Sequence, residues 1–169
     1  MPEHPEKYGQ PGTPPADHPL TTGTLAPGTV VDRVQFAVER GKIREFATAS
    51  QAADPVHTSA AAAARRGLPD VAATATHVVV SGHQRDQQQM LATLGLDINR
   101  VVVGGTGWSY HRPLTAGDEL TGTRRLVSDE VKTSRSGRSL RIVRLNTEFT
   151  LTDGTVAVSQ RETLIERGN

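Results

Sequence analysis

Residues 76–94, THVVVSGHQRDQQQMLATL, carry Val79, Val80, His83, Gln87, Met90, Leu91 and Leu94 at an approximate 3.6-residue spacing. Side chains recurring at that period share one face of a helix. Thr76 stands where a hydroxyl can cap the first turn, and Gly95 where a left-handed residue can end the last. The stretch predicts one long helix, the longest of the chain. Beyond it the period changes. Residues 119–131, 139–151 and 155–165 are rich in aliphatic and β-branched side chains, separated by turn residues at 134–137 and at Asp153-Gly154. Such runs read as strands, and the Asp-Gly pair as a hairpin turn. The phase of alternation shifts near Ile142-Val143, which predicts a bulge there. A helix followed by an antiparallel meander predicts an α+β fold.

Upstream, Val30, Val34, Phe36 and Val38 suggest a strand over 30–38. Residues 39–50 put Ile43, Phe46 and Ala47 on one helical face, and Asp54-Pro55 ends that helix because proline rejects a preceding helical residue. A short Ala-rich helix over 59–66 follows, with Gly67 as its cap. Residues 1–24 are rich in proline and poor in apolar side chains, so they predict a flexible tail ahead of a folded domain over 25–169. Gly104, Gly105 and Gly107 lack both the Lys-Ser/Thr of a phosphate loop and a following helix, so a bent or bulged strand accounts for them better.

Composition narrows the functions. With 36% hydrophobic and 22% charged residues, the 169-residue chain has the make-up of one soluble globular domain. A net charge of +1 argues against binding nucleic acid through phosphate contacts. There is no cysteine, so thiolate chemistry is excluded. No apolar run reaches membrane-spanning length, and no basic-then-apolar leader opens the sequence, so the expected location is the cytoplasm. His77 and His83 are six residues apart, not the three or four that would set both on one helical face, so no metal site is expected. No cofactor is expected either.

Residues 46–57, FATASQAADPVH, are similar to a signature of MaoC-like (R)-specific hydratases and (3R)-hydroxyacyl-ACP dehydratases. That signature runs Phe-x-x-x-(Ser/Thr)-Gly-Asp-x-Asn-Pro-(Leu/Ile/Val)-His. Phe46, Ser50, Pro55, Val56 and His57 fit it, whereas Gln51 replaces its Gly, Ala52 its catalytic Asp and Asp54 its Asn. Residues 41–46, 68–76 and 110–118 resemble, in order, further motifs of the family's N-terminal-domain branch. The resemblance implies a single hot-dog domain, an antiparallel sheet wrapped around one long central helix. It also implies a place beside the subunits of heterodimeric dehydratases acting on acyl carrier protein (ACP) or CoA thioesters in fatty-acid or polyketide assembly.

Dehydrating a 3-hydroxyacyl thioester takes a base for the Cα proton, an acid for the departing hydroxyl and donors for the enolate-like oxygen. The resemblance makes His57 the base and puts Ala52 where the acid belongs. It sets the thioester carbonyl at the helix N-terminus near Ala75, Thr76 and His77, where unpaired N–H groups and the helix dipole favour negative charge. Ala52 can neither give nor take a proton. Three readings stay open. This chain is a silent subunit whose hot-dog partner supplies the complete pair; or Asp54 replaces the lost carboxylate; or His57 works alone or with water in a homodimeric hydratase, isomerase or thioesterase. A non-enzymatic acyl-binding protein is a further alternative. Asp54 more readily makes a local turn hydrogen bond, and His77 reads as a partly exposed first-turn residue or one facing the substrate channel. Arginines at 65–66, 124–125 and 135, 138, 141 and 144 could receive an acidic carrier or a CoA phosphate, or form a solvated strand face.

Overall fold

The computed structural model describes residues 20–135 and 137–168. Five strands form one antiparallel sheet: β1 (Val30–Ala37), β2 (Val101–Tyr110), β3 (Glu119–Thr133), β4 (Ser139–Leu151) and β5 (Val156–Arg167), in the order β1-β3-β4-β5-β2. The helices are α1 (Arg40–Ala49), α2 (Ala60–Ala64) and α3 (Gln87–Leu94), with 3-10 segments at Pro55–His57 and His77–Gln84. The α+β class and the strand positions match the expectation. The tail expected over 1–24 lies outside the described residues through position 19. From there the chain runs along the sheet, and Gly23 N–H donates to Asp129 Oδ2 at 2.7 Å.

The single long helix expected over 76–94 comes in two pieces. His77–Gln84 is a 3-10 helix, Arg85 is extended (φ −101, ψ 142), and Asp86 caps α3 by accepting from Gln89 N–H at 2.8 Å. Val78, Val79 and Val80 lose χ1 freedom in a helix, Gly82 favours it least, and Asp86 prefers a cap to an interior. The break also turns Arg85 inward, where it pairs with Asp32 of β1 with only 2% of its side chain exposed. Gly95 closes α3 at φ +63, as expected of a glycine cap.

The expected bulge is displaced. β4 keeps strict alternation, burying Arg141, Val143, Leu145, Thr147 and Phe149, and its register runs unbroken past Ile142-Val143. The apparent change of phase came from Arg141, a charged residue at an inward position. The irregularities lie elsewhere: in β1 between Val30 and Asp32, in β3 between Leu126 and Ser128, in β2 between Val103 and Gly105, and opposite Phe149-Thr150. The one in β2 is the bulge expected of its glycines.

Two apolar clusters cover the inward side of the sheet. One holds Val34, Phe36, Ile43, Leu120, Phe149 and Val158; the other holds Val31, Met90, Leu91, Leu126, Leu145 and Leu164. A polar row separates them. Asp32, Arg124, Thr147, Gln160 and Trp108 are successive cross-strand partners from β1 to β2, each at an inward position. Gly122, one step along β3, has no room for a side chain: a Cβ would lie 2.8 Å from Phe149 Cε1 and from Val34 Cγ1. A third buried cation, Arg141, donates to Leu94 O (2.6 Å), Gly95 O (2.8 Å) and Asp129, clamping the C-terminus of α3 to the sheet.

Candidate active site

His57 ends a 3-10 turn that its neighbours dictate. Pro55 opens the turn with its φ already set, and Asp54 caps it by accepting Val56 N–H at 3.0 Å. The outer oxygen of Asp54 accepts from Arg66 Nη1 at 2.6 Å. The Val56 bond, then Arg66, holds the Asp54 carboxyl below the ordinary carboxylate value. Asp54 is thus a local cap, as its position predicts.

The His57 ring is anchored by one nitrogen. Nδ1 lies 2.7 Å from Ala72 O. A carbonyl only accepts, so Nδ1 is the donor, and in the neutral ring this leaves the lone pair on Nε2, the tautomer a general base requires. Ala72 is itself held: its N–H donates to Val56 O (3.0 Å), and it bridges to Thr115 in the β2–β3 connection. A cavity of about 110 Å³ opens beside the ring, lined by Arg40, Gly41, Arg44, His57, Thr58 and Val71. Arg40 also pairs with Asp70. Arg40 and Arg44 were not among the residues expected at the site, although their spacing of four on α1 puts both on the face turned to His57.

Ala52 follows the end of α1, where Ser50 N–H donates to Phe46 O and Ala52 N–H to Ala47 O at 2.8 Å. Between them Gln51 adopts φ +56, the left-handed conformation that the family's glycine suits. The motif's glycine and its carboxylate are both replaced here, by Gln51 and Ala52. Ala52 does not line the His57 cavity, and neither do Ala75, Thr76 or His77.

The expected carbonyl site at 75–77 takes a different form. Ala75 and Thr76 are exposed, Ala75 O already accepts from the Tyr110 hydroxyl, and Thr76 makes no side-chain cap. Burial pushes the Tyr110 phenol up to about 12. His77 is fully buried rather than exposed or channel-facing. Its ring packs against Phe36 and edge-on against Phe46 at 5.4 Å, and neither nitrogen finds a hydrogen-bond partner. Burial lowers its pKa from the ordinary value. Two of the arginine patches also dissolve: Arg124 and Arg141 are buried in ion pairs, and Arg144 is paired with Glu130 at 2.7 Å.

Residues 26–160 match the model of the family described as FAS1-like, dehydratase domain region. The chain belongs to this FAS1-like dehydratase family. A UPF0336 protein of Saccharopolyspora erythraea is 38% identical over 135 residues, covering 79% of this chain and 83% of that one. A UPF0336 protein of Clavibacter michiganensis is 38% identical over 138 residues, covering 79% and 87%. Among solved structures, a MaoC-like dehydratase superposes with a TM-score of 0.68 at 26% identity, over 81% of this chain and 42% of that one. The HadBC (3R)-hydroxyacyl-ACP dehydratase complex of Mycobacterium tuberculosis gives 0.66 at 23% identity, over 84% and 98%. The FAS1-like dehydratase fold is thus the hot-dog fold expected from the sequence. Among its described residues, no helix is long and apolar enough to cross a membrane.

Proposed function

We propose that this chain is the accessory subunit of a hot-dog dehydratase that converts 3-hydroxyacyl thioesters of ACP or CoA to 2-enoyl thioesters. The carrying observation is the site itself: a base-competent His57 on an intact turn, with Ala52 at the acid position and Asp54 tied to Val56 and Arg66. An arrangement with a base and no acid cannot complete a dehydration by itself. The complete acid and base pair comes from a hot-dog partner that carries the full Gly-Asp-x-Asn-Pro-x-His motif. Strand β2 offers the surface for that partner. It is the longer of the two edge strands, mostly exposed, with Val103 65% accessible, and an unpaired edge invites pairing with another strand. A structural neighbour named as a complex of two components, the ChsH1–ChsH2 complex of Mycobacterium tuberculosis, is consistent with such pairing.

The test is reconstitution. The purified chain alone gives no 2-enoyl product from 3-hydroxyacyl-ACP or -CoA, and adding the partner encoded in the same genome restores turnover. Turnover by the chain alone overturns the accessory assignment. His57→Ala in the mixture then resolves the role of the ring. The anchored Nδ1 and free Nε2 favour a second reading, in which His57 takes the proton itself. Lost turnover with intact assembly supports that reading, and unchanged turnover leaves His57 as a remnant.

A further inference from the structure

The polar row across the sheet ends at a cavity. About 230 Å³ of space lies between the 3-10 helix and the β2–β5 edge, walled by Ser81, Arg85, Thr106, Trp108, Gln160 and Glu162 among others. Its charges balance. Arg85 pairs with Asp32, and Arg124 Nη2 pairs with Glu162 Oε2 at 2.7 Å, with Arg124 Nε also donating to Thr147 Oγ1 at 3.2 Å. Two buried donors are left over: Trp108 Nε1, and Arg85 Nη2 on a guanidinium that sits 5.8 Å from the centre of the Phe149 ring. A buried donor without an acceptor is costly, and a ligand that brings the acceptor recovers that cost.

We propose that this cavity binds an uncharged, oxygen-bearing segment of an acyl chain, one with a keto or hydroxyl group, in preference to a plain alkyl chain. The inference rests on the acyl-thioester reading above and specifies its substrate class. An alkyl chain would leave Trp108 Nε1 without an acceptor, strip water from the amide of Gln160 and return no hydrogen bond. A carboxylate would upset the balance of two cations against two carboxylates. A keto oxygen fits both conditions, accepting from Trp108 without adding charge. A hydroxyl can in addition donate to Glu162 or to the Gln160 carbonyl.

Trp108 is the only tryptophan in the chain, so its emission reports this cavity directly. Octanoyl and 5-oxo-octanoyl N-acetylcysteamine thioesters, equal in length and both neutral, are titrated into the full-length chain. Trp108 emission and equilibrium dialysis are followed together. The expected result is at least tenfold tighter binding of the oxo probe, with a change in Trp108 emission. Thr106→Val and Gln160→Leu should each narrow that preference, and the wild-type comparison stands even where a variant folds poorly. Equal or tighter binding of the octanoyl probe overturns the proposal. So does oxo binding by dialysis that leaves Trp108 silent, or no binding of either probe. None of these outcomes touches the accessory-subunit reading, which fails separately if reconstitution with the partner gives no 2-enoyl product.

Discussion

Gln51 sits at φ +56 where the motif elsewhere has glycine. A side chain in the left-handed region costs about 1 kcal/mol, so Gln51→Gly should raise stability by up to about that amount. A higher urea midpoint at unchanged slope is the expected result, and a lower midpoint would contradict the strain. His77 poses the opposite problem, two buried nitrogens with no partner. Replacing the ring by Leu removes both orphans at similar volume and should be neutral or stabilise by about 1–3 kcal/mol. The pH dependence follows the same ring. Its folded pKa is lowered by burial, so the unfolded chain binds the extra proton first. Stability is therefore fully present above the ordinary histidine pKa of about 6.5 and falls as the pH drops below it toward the folded value. Melting curves on the acid side of neutrality should show this fall in the wild type and a smaller one in His77→Leu. Neither residue's state was legible in the sequence. A motif shows which residue departs from it, but not whether the backbone there is left-handed or the ring enclosed.

At the scale of elements, α3 depends on distant residues at both ends. Its first turn is capped locally by Asp86, but its last carbonyls are held by Arg141, 46 and 47 positions away in sequence. Asp129 completes the clamp. Burial pushes its carboxyl up, but the bonds from Arg141 and Gly23 outweigh that and hold it below the ordinary value. Arg141→Met leaves Asp129 and Glu166 buried beside an apolar chain, which should cost about 3–5 kcal/mol. Chemical denaturation measures this, and a loss below about 1 kcal/mol would mean the clamp is dispensable. The strands were legible because alternation and turn residues are local signals. The helix break was only half legible. The valines, Gly82 and Asp86 weaken the helix, but the residue that gains from breaking it is Arg85, whose partner Asp32 lies 53 positions earlier.

Of the two edge strands, β1 and β2, β2 is the longer, and it lies beside the polar cavity and forms the face proposed for a partner. Val103→Glu puts a charge on that edge at a position already 65% exposed. The substitution should leave the melting of the isolated chain within about 0.5 kcal/mol of wild type while abolishing co-elution with the partner subunit. Light scattering on the mixture is the check, and an undisturbed complex would move the interface away from β2.

The sequence by itself determined the class of fold, the five strands in order and the Asp54-Pro55 stop that ends the helix ahead of His57. Each of these is written in neighbouring residues, as a period, a proline or a cap. Only the tertiary structure decided which charges are inside. Arg85, Arg124 and Arg141 look like surface residues in the chain, and each is buried because a carboxylate from another strand meets it there. A buried charge is tolerated only where its partner arrives, and where two distant segments meet is a property of the folded sheet. The same reason explains the polar cavity at Trp108. Its walls come from positions that read as ordinary inward-facing strand residues until the strands are placed side by side.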